Sequence, residues 1–422
     1  MSELSSGSGL RPRSELRARG ASSAPTGIAR HGRLRKSSPV TTIVKFIAAA
    51  LAVVLMSGVS VGALAVTSLT SKTTVVDIPG TQAGGAPLPQ VGAIEGGFNI
   101  LIAGSDTRQD QGGIGGSVED DSGELNDVTM LLHVSQDQTN AVAISFPRDM
   151  VVGIPECVNP DGYTKGYSTE PINTALSYGG LSCVAQTITE FTGLPVQYAG
   201  LIKFSGVINM ADAIGGVDVC VDGPMIDGNT GINIVKAGTY NLKGIDALAF
   251  LRSRAAVGDG SDLTRISSQQ VYLSALVRKL KSSETLGDLT KVYALADAAL
   301  SNMTVSSSLN SIPTMVSIAQ ALKNIPLENV TFVQYPGTTG GSGVYTGKVQ
   351  PNQYAADALL EYIKADQPFV LEAAGDERGS TLDPNAPLVP PTPATDAPDV
   401  PVAEGVRGQT AAQYTCTITN SY

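Results

Sequence analysis

Residues 98–108 read FNILIAGSDTR, an apolar run from Phe98 to Ala103 that stops at Gly104 and then presents Asp106 and Arg108. The run has the composition of a buried strand, and residues just past such a strand are presented on a rigid scaffold at the sheet edge. Two further stretches repeat the arrangement. NDVTMLLHV, residues 126–134, puts Asp127 at the mouth of a second strand, and AVAISFPRD, residues 141–149, ends a third with Pro147, Arg148 and Asp149. Adjacent strands would bring these carboxylates and guanidiniums to one edge, where open α/β sheets hold their ligands.

Outward from that core, residues 217–221 and 330–335 also read as strands. Helices are expected near residues 172–178, 182–191, 204–214, 245–251, 263–281, 289–301, 309–322 and 353–365. Together these predict one α/β (α+β) domain over residues 95–371, with a central mixed sheet flanked by helices and one transmembrane helix before it.

Arginine is concentrated rather than scattered. Five of the eight arginines after residue 70 fall in three motifs: Arg108 in GSDTR, Arg148 in FPRD, and Arg252, Arg254 and Arg265 in LRSRAAVGDGSDLTR. From residue 46 onward the chain holds 19 Lys+Arg against 36 Asp+Glu, so guanidiniums clustered in so acidic a stretch imply a specific anionic ligand. Their planar forks suit phosphate oxygens, and carboxylates beside arginines in a phosphate site point to a divalent metal. Arg252 and Arg254 face opposite sides if extended, whereas a turn would aim both at one pyrophosphate. Asp262 is placed to cap the helix that follows. Arg265 would then sit in the first turn, where a cation opposes the helix dipole unless an anion offsets it. For each motif taken singly, an ordinary surface ion pair is the competing reading.

Before residue 46 there are nine Lys+Arg and two acids. The basic, Ser/Gly-rich residues 1–45 form an expected disordered tail, and the apolar stretch 46–69 is long enough to cross a hydrocarbon core of about 30 Å. The positive-inside rule keeps the tail in the cytoplasm, as an electrostatic anchor on the inner leaflet, and exports everything after residue 69. A signal peptide cleaved after Ala63-Leu64-Ala65 is the alternative. Residues 70–94 read as a flexible linker, and 372–422 as a Pro/Ala-rich disordered tail with a short β-like terminal segment. An acidic exported domain without a DNA-binding helix pair argues against nucleic acid as a partner. All four cysteines lie on the exported side, where disulfides persist, and Cys157 with Cys183 is the expected pair. With two histidines and no CxxC spacing, a structural zinc site is not expected.

The motifs together resemble the LytR-CpsA-Psr family of bacterial cell-wall glycopolymer transferases. GSDTR, NDVTML, SFPRD, INTALSYGG, MADAIGGVDV, and LRSR with DLTRISSQQ match the family's motifs in order over roughly residues 98–280, and the cysteines and DGSDLTR resemble actinobacterial members. The resemblance implies transfer of a glycopolymer from a polyprenyl-pyrophosphate carrier to peptidoglycan by a membrane-anchored, extracytoplasmic enzyme, with the lipid in an apolar channel. It makes Asp106 and Asp127 ligands of Mg2+ (or Mn2+), and Arg108, Arg148, Arg252, Arg254 and Arg265 the pyrophosphate clamp, with Gln269 as a further substrate contact. Asp149 and Asp262 are candidates to orient or deprotonate the incoming hydroxyl, although Asp149 equally suits a role holding Arg148. Glu170-Pro171 stands where family members often carry Lys, and Ser268 where Arg is common, so one or two phosphate contacts are either missing or supplied by Lys165 or Lys203. The acidic, Gly-rich insertion between Arg108 and Asp127 suggests a flap over the site.

Two other functions use the same residues. A lipid-pyrophosphate pyrophosphatase would employ the clamp with water as nucleophile, and a non-enzymatic polyprenyl-lipid-binding wall protein would keep channel and clamp without turnover.

Overall fold

The structure, a computed structural model, describes residues 73–78, 96–107, 124–159, 161–286, 288–387 and 400–420. Strands β1 (Thr74–Val76), β2 (Phe98–Ser105), β3 (Asn126–Val134) and β4 (Ala141–Phe146) come first. Helix α1 (Ala175–Thr192), strand β5 (Tyr198–Ile202), helix α2 (Phe204–Ala213) and strands β6 (Val217–Val221) and β7 (Gly238–Leu242) follow. Next are α3 (Gly244–Arg252), α4 (Asp262–Lys281), α5 (Leu289–Ser301), β8 (Met303–Ser306), α6 (Ile312–Asn324), β9 (Val330–Gln334) and α7 (Gln353–Lys364). Three short strands close the chain: β10 (Ser380–Leu382), β11 (Gly408–Thr410) and β12 (Thr415–Thr417).

Eight strands form one mixed sheet in the order β1-β8-β5-β2-β3-β4-β9-β11. β3 runs antiparallel to both β2 and β4, while β5 is parallel to β2 and β9 parallel to β4. The carboxyl ends of β2, β4, β5 and β9 therefore share one edge with the amino end of β3. Along β2 the side chains alternate: Leu101 and Ala103 enter a core with α1 and α7, and Ile100 enters one shared with α4 and α6. Burial on both faces accounts for the unbroken apolar run in FNILIA.

Helix α4 packs in two cores at once, that of the large sheet and that of a second sheet ordered β7-β6-β12-β10. Its polar residues are consequently buried and must find partners inside the protein. Ser267 Oγ donates to the Asp376 carboxylate, Ser268 Oγ meets Thr417 Oγ1 at 3.2 Å, and Gln409 Nε2 donates to Ser274 Oγ at 2.7 Å. All three partners lie in the carboxy-terminal segment. That segment is also pinned by Arg278, whose Nη1 donates to the carbonyls of Ala411 (2.7 Å) and Gln413 (2.9 Å).

The domain boundary expected at residue 371 is thus too early. Pro-rich composition hid strands that contribute edge pairing and hydrogen bonds rather than apolar mass. Likewise Thr74–Val76, inside the expected linker, pairs in parallel with β8. Strands β5 and β8 escaped the sequence reading, as did most of the second sheet. The helix expected at 172–178 opens as a 3-10 turn, Ile172–Thr174, and α1 kinks at Gly179 and Gly180 before continuing. Cys157 and Cys183 are bonded as expected, and a second disulfide joins Cys220 of β6 to Cys416 of β12. Among the described residues no helix is long and apolar enough to cross a membrane. The expected transmembrane stretch 46–69, Arg108 and most of the acidic insertion lie outside the described residues.

Candidate functional site

Asp127, Arg148, Arg254, Asp262 and Arg265 converge on the shared sheet edge. Pro147 ends β4, and the Arg148 backbone N–H donates to Asp262 Oδ2 at 2.8 Å. Asp262 Oδ1 accepts from Arg254 Nη2 at 2.9 Å and is ion-paired with Arg265, whose Nη2 lies 2.5 Å away. Asp127 pairs with the Arg148 guanidinium, and its main-chain carbonyl accepts from Arg265 Nη2 at 3.0 Å. Asp149 receives Lys348 Nζ at 3.2 Å and stands 3.9 Å from Arg148 Nε, beyond hydrogen-bond reach.

Each arginine is carried by a different local device. The Arg254 loop is held by buried Asp227, whose Oδ2 accepts from Ser253 Oγ at 2.8 Å and from the Arg254 N–H at 3.4 Å. The same loop leans on the carboxy-terminal segment: Gly258 N–H donates to Ile418 O at 3.0 Å, and Asn420 N–H to Ala256 O at 2.9 Å. At Gly258, φ is +46° and an added Cβ would lie 2.3 Å from the Arg378 carbonyl, so only glycine fits there. The helix cap expected of Asp262 is instead supplied by Ser261, whose side chain accepts from Thr264 N–H at 3.3 Å. Asp262 occupies the first helical position, free to turn its carboxylate onto the arginines.

Burial separates these groups electrostatically. The side chain of Arg265 is 4% exposed, as is that of Asp262, whereas Arg254 is 28% and Arg148 26% exposed. Burial pushes the Arg265 pKa below its ordinary value, opposed by Asp262 and reinforced by the neighbouring Arg254. For Arg148, burial acts the same way, but the charge and hydrogen bond of Asp127, with Asp262 and Asp149, outweigh it and raise the pKa. The Nε atoms of Arg148 and Arg265 are buried donors with no hydrogen-bond partner, which suits an oxyanion ligand.

Not every expected residue joins this cluster. Arg252 ends α3 with its guanidinium 4.5 Å from the Phe204 ring centroid, while Arg254 turns to Asp262, so the two arginines diverge. Gln269 donates through Nε2 to Leu251 O at 2.9 Å and holds the end of α3. Lys165 lies 3.7 Å from Glu170 and over the Tyr178 ring, a local surface group, and Lys203 precedes α2 as its N-cap residue. Ser268, where the family pattern has Arg, is small enough to admit β12 against α4. Lys348 and Asp227 were missed because nothing in their sequence surroundings signals a site; chain folding alone brings them in.

Asp106 and Asp127 are candidate metal ligands. One oxygen of each is already engaged: Asp106 Oδ1 accepts the Leu125 N–H at 2.9 Å and Asp127 Oδ1 takes Arg148. Beside Asp127, the amide oxygen of Asn126 is buried without a hydrogen-bond partner. Hard oxygen donors of this kind fit Mg2+ or Mn2+ in chemistry.

The chain matches the model of the LytR-CpsA-Psr family over residues 65–364. It is 29% identical over 287 residues to the cell wall biosynthesis protein LcpA of Corynebacterium glutamicum, a match covering 62% of this chain and 54% of that protein. The chain thus spans about half the length of the corynebacterial relatives it matches. It is 25% identical over 344 residues to the polyisoprenyl-teichoic acid–peptidoglycan teichoic acid transferase TagT of Bacillus subtilis, covering 80% of this chain and 98% of that one. In fold it is similar to the LytR-Csp2A-Psr enzyme from Actinomyces oris, with a TM-score of 0.51 at 22% identity over 69% of this chain and 96% of that one. Matched by the family model over most of its length, this chain belongs to the LytR-CpsA-Psr family.

Proposed function

We propose that this protein transfers a cell-wall glycopolymer from a polyprenyl-pyrophosphate carrier to peptidoglycan, outside a membrane to which residues 46–69 anchor it. The observation that carries the reading is the triple use of one carboxylate: Asp262 gathers Arg148, Arg254 and Arg265 at a single sheet edge, leaving buried guanidinium donors for an oxyanion. The relative in Bacillus subtilis, named a polyisoprenyl-teichoic acid–peptidoglycan teichoic acid transferase, supports it.

In the proposed reaction an acceptor sugar hydroxyl attacks the phosphorus bonded to the glycan. A new P–O bond forms, the P–O bond to the second phosphate breaks, and polyprenyl phosphate leaves with the electron pair. Such transfers need positioning and charge neutralisation more than covalent catalysis. Arg148, Arg254 and Arg265 neutralise the pyrophosphate. Asp106 and Asp127 would hold Mg2+ or Mn2+, which when bound adds further charge neutralisation there. Asp262 is a poor base candidate because both its oxygens already accept hydrogen bonds, so it positions the arginines. Asp149, 24% exposed, is the carboxylate open to the incoming hydroxyl and its proton.

The test is incubation of the full chain with a polyprenyl-pyrophosphate glycan, peptidoglycan fragments and Mg2+. Coupled glycan–peptidoglycan product is expected; release of lipid phosphate without coupling would replace this reading with hydrolysis.

A further inference from the structure

Arg378 and Arg407 lie beyond residue 364, where the family match ends, and the sequence reading gave them no role. They line a cavity of about 200 Å³ together with Leu263, Gln334, Thr338 and Asn352. No carboxylate contributes to its lining, in a chain of formal net charge −10. Among the described residues neither guanidinium is ion-paired. Arg407 Nη1 donates to Asp376 O at 2.8 Å, and the Arg378 backbone N–H to Asp376 Oδ1 at 3.0 Å, so one buried residue fixes both. Two exposed arginines beside amide and hydroxyl groups, in a lining without carboxylates although Asp259 feels the charge of Arg378, form an oxyanion receptor by chemistry.

The cavity adjoins the cluster at the sheet edge. Leu263 follows Asp262 directly, and Tyr335 N–H donates to Ser145 O at 2.8 Å, so residues 335–337 run beside the end of β4. Gly337, also in the lining, packs against Met150 and Val349, and the Val349 N–H donates to Asp149 O at 3.1 Å. The cavity therefore adjoins both Asp149, the carboxylate that faces the incoming hydroxyl in the reading above, and the start of α4, where Asp262 holds the pyrophosphate arginines.

We infer that the Arg378–Arg407 cavity is an acceptor subsite that takes a carboxylate of the peptidoglycan peptide and so places the sugar hydroxyl toward Asp149. The inference rests on the transfer reading. Its experiment measures binding alone, with the full-length chain in detergent, using a soluble muropeptide with free carboxylates, the same muropeptide amidated, and geranyl pyrophosphate as donor probe. Replacing Arg378→Ala and Arg407→Ala together should weaken binding of the free muropeptide tenfold or more and leave geranyl pyrophosphate binding unchanged. Amidation should weaken binding to the wild type by a similar factor, and Arg254→Ala should weaken only geranyl pyrophosphate. Unchanged muropeptide affinity in the double variant, equal affinity for the amidated form, or a matching loss of geranyl pyrophosphate each overturns the assignment. Failure of the wild type to bind geranyl pyrophosphate would count against the transfer reading instead, with the muropeptide comparison still legible. Because both side chains are exposed, the double variant should melt like the wild type, and Lys at both positions should restore binding only in part.

Discussion

The backbone N–H of Arg148 donates to Oδ2 of Asp262 at 2.8 Å across 114 residues of sequence. The end of a strand and the start of a helix are joined there, and the other oxygen of the same carboxylate holds Arg254 and Arg265. Asp262→Asn keeps the shape but removes the charge, leaving Arg265 buried without compensation. A loss of about 3–5 kcal/mol is expected from breaking a buried pair. Urea unfolding would measure it, and a change below about 1 kcal/mol would show that the carboxylate does not organise the cluster.

Arg254 and Arg265 share that carboxylate but differ in burial, so their alanine variants should separate. Arg265→Ala should cost stability first. Arg254→Ala, at a partly exposed pair, should cost little stability, within the range of about 0–1 kcal/mol for exposed ion pairs. It should nevertheless weaken a lipid pyrophosphate by roughly ten- to a hundredfold, the scale of one charge-assisted hydrogen bond. Melting temperature and geranyl pyrophosphate affinity measured side by side decide the point; a large melting shift with unchanged affinity would remove Arg254 from the clamp.

Asp127→Asn tests the metal. It should lower turnover and shift activation to higher Mg2+ concentration. Should turnover fall with no change in Mg2+ dependence, Asp127 serves only as the partner of Arg148.

The two disulfides should contribute unequally. Cys157 and Cys183 are 26 residues apart in sequence, Cys220 and Cys416 are 196 apart. In the chain-entropy account the longer loop stabilises by about 2 kcal/mol more. Cys416→Ser should therefore destabilise more than Cys183→Ser. It should also slow turnover, because the strand it frees hands on to Ile418 and Asn420, which support the Arg254 loop. Equal destabilisation by the two variants would show that loop entropy is not the governing factor.

His133 adds a pH dependence remote from the site. Its Nδ1 lies 2.8 Å from Asn99 Oδ1 and its Nε2 lies 3.2 Å from Asp366 Oδ1. Burial lowers its pKa below the ordinary 6.5, and Asp366 only partly restores it. Between that depressed value and 6.5 the unfolded chain binds the proton and the folded chain does not, so stability falls as pH drops through this window. Chemical denaturation from pH 7.5 downward should show the slope in wild type and lose it in His133→Gln; equal slopes would place the titration elsewhere.

How legible was all this beforehand? FNILIAGSDTR, NDVTMLLHV and AVAISFPRD were readable because a strand buried on both faces must be apolar throughout and its polar ending then stands out. The polar first turns of α4 gave no such signal. Ser267, Ser268 and Ser274 look like a solvent-facing helix, yet all three are buried because the carboxy-terminal segment returns to hydrogen-bond them. The sequence by itself determined the strand ends and the clustering of arginines into motifs, since hydrophobic patterning and charge clustering are local properties of the chain. Only the tertiary structure decided that Arg252 and Arg254 part company, that Asp262 gathers rather than caps, and that residues 400–420 belong to the fold. Those outcomes depend on which distant groups compete for one carboxylate or one buried hydroxyl, a competition that is settled once strands and helices far apart in sequence are packed together.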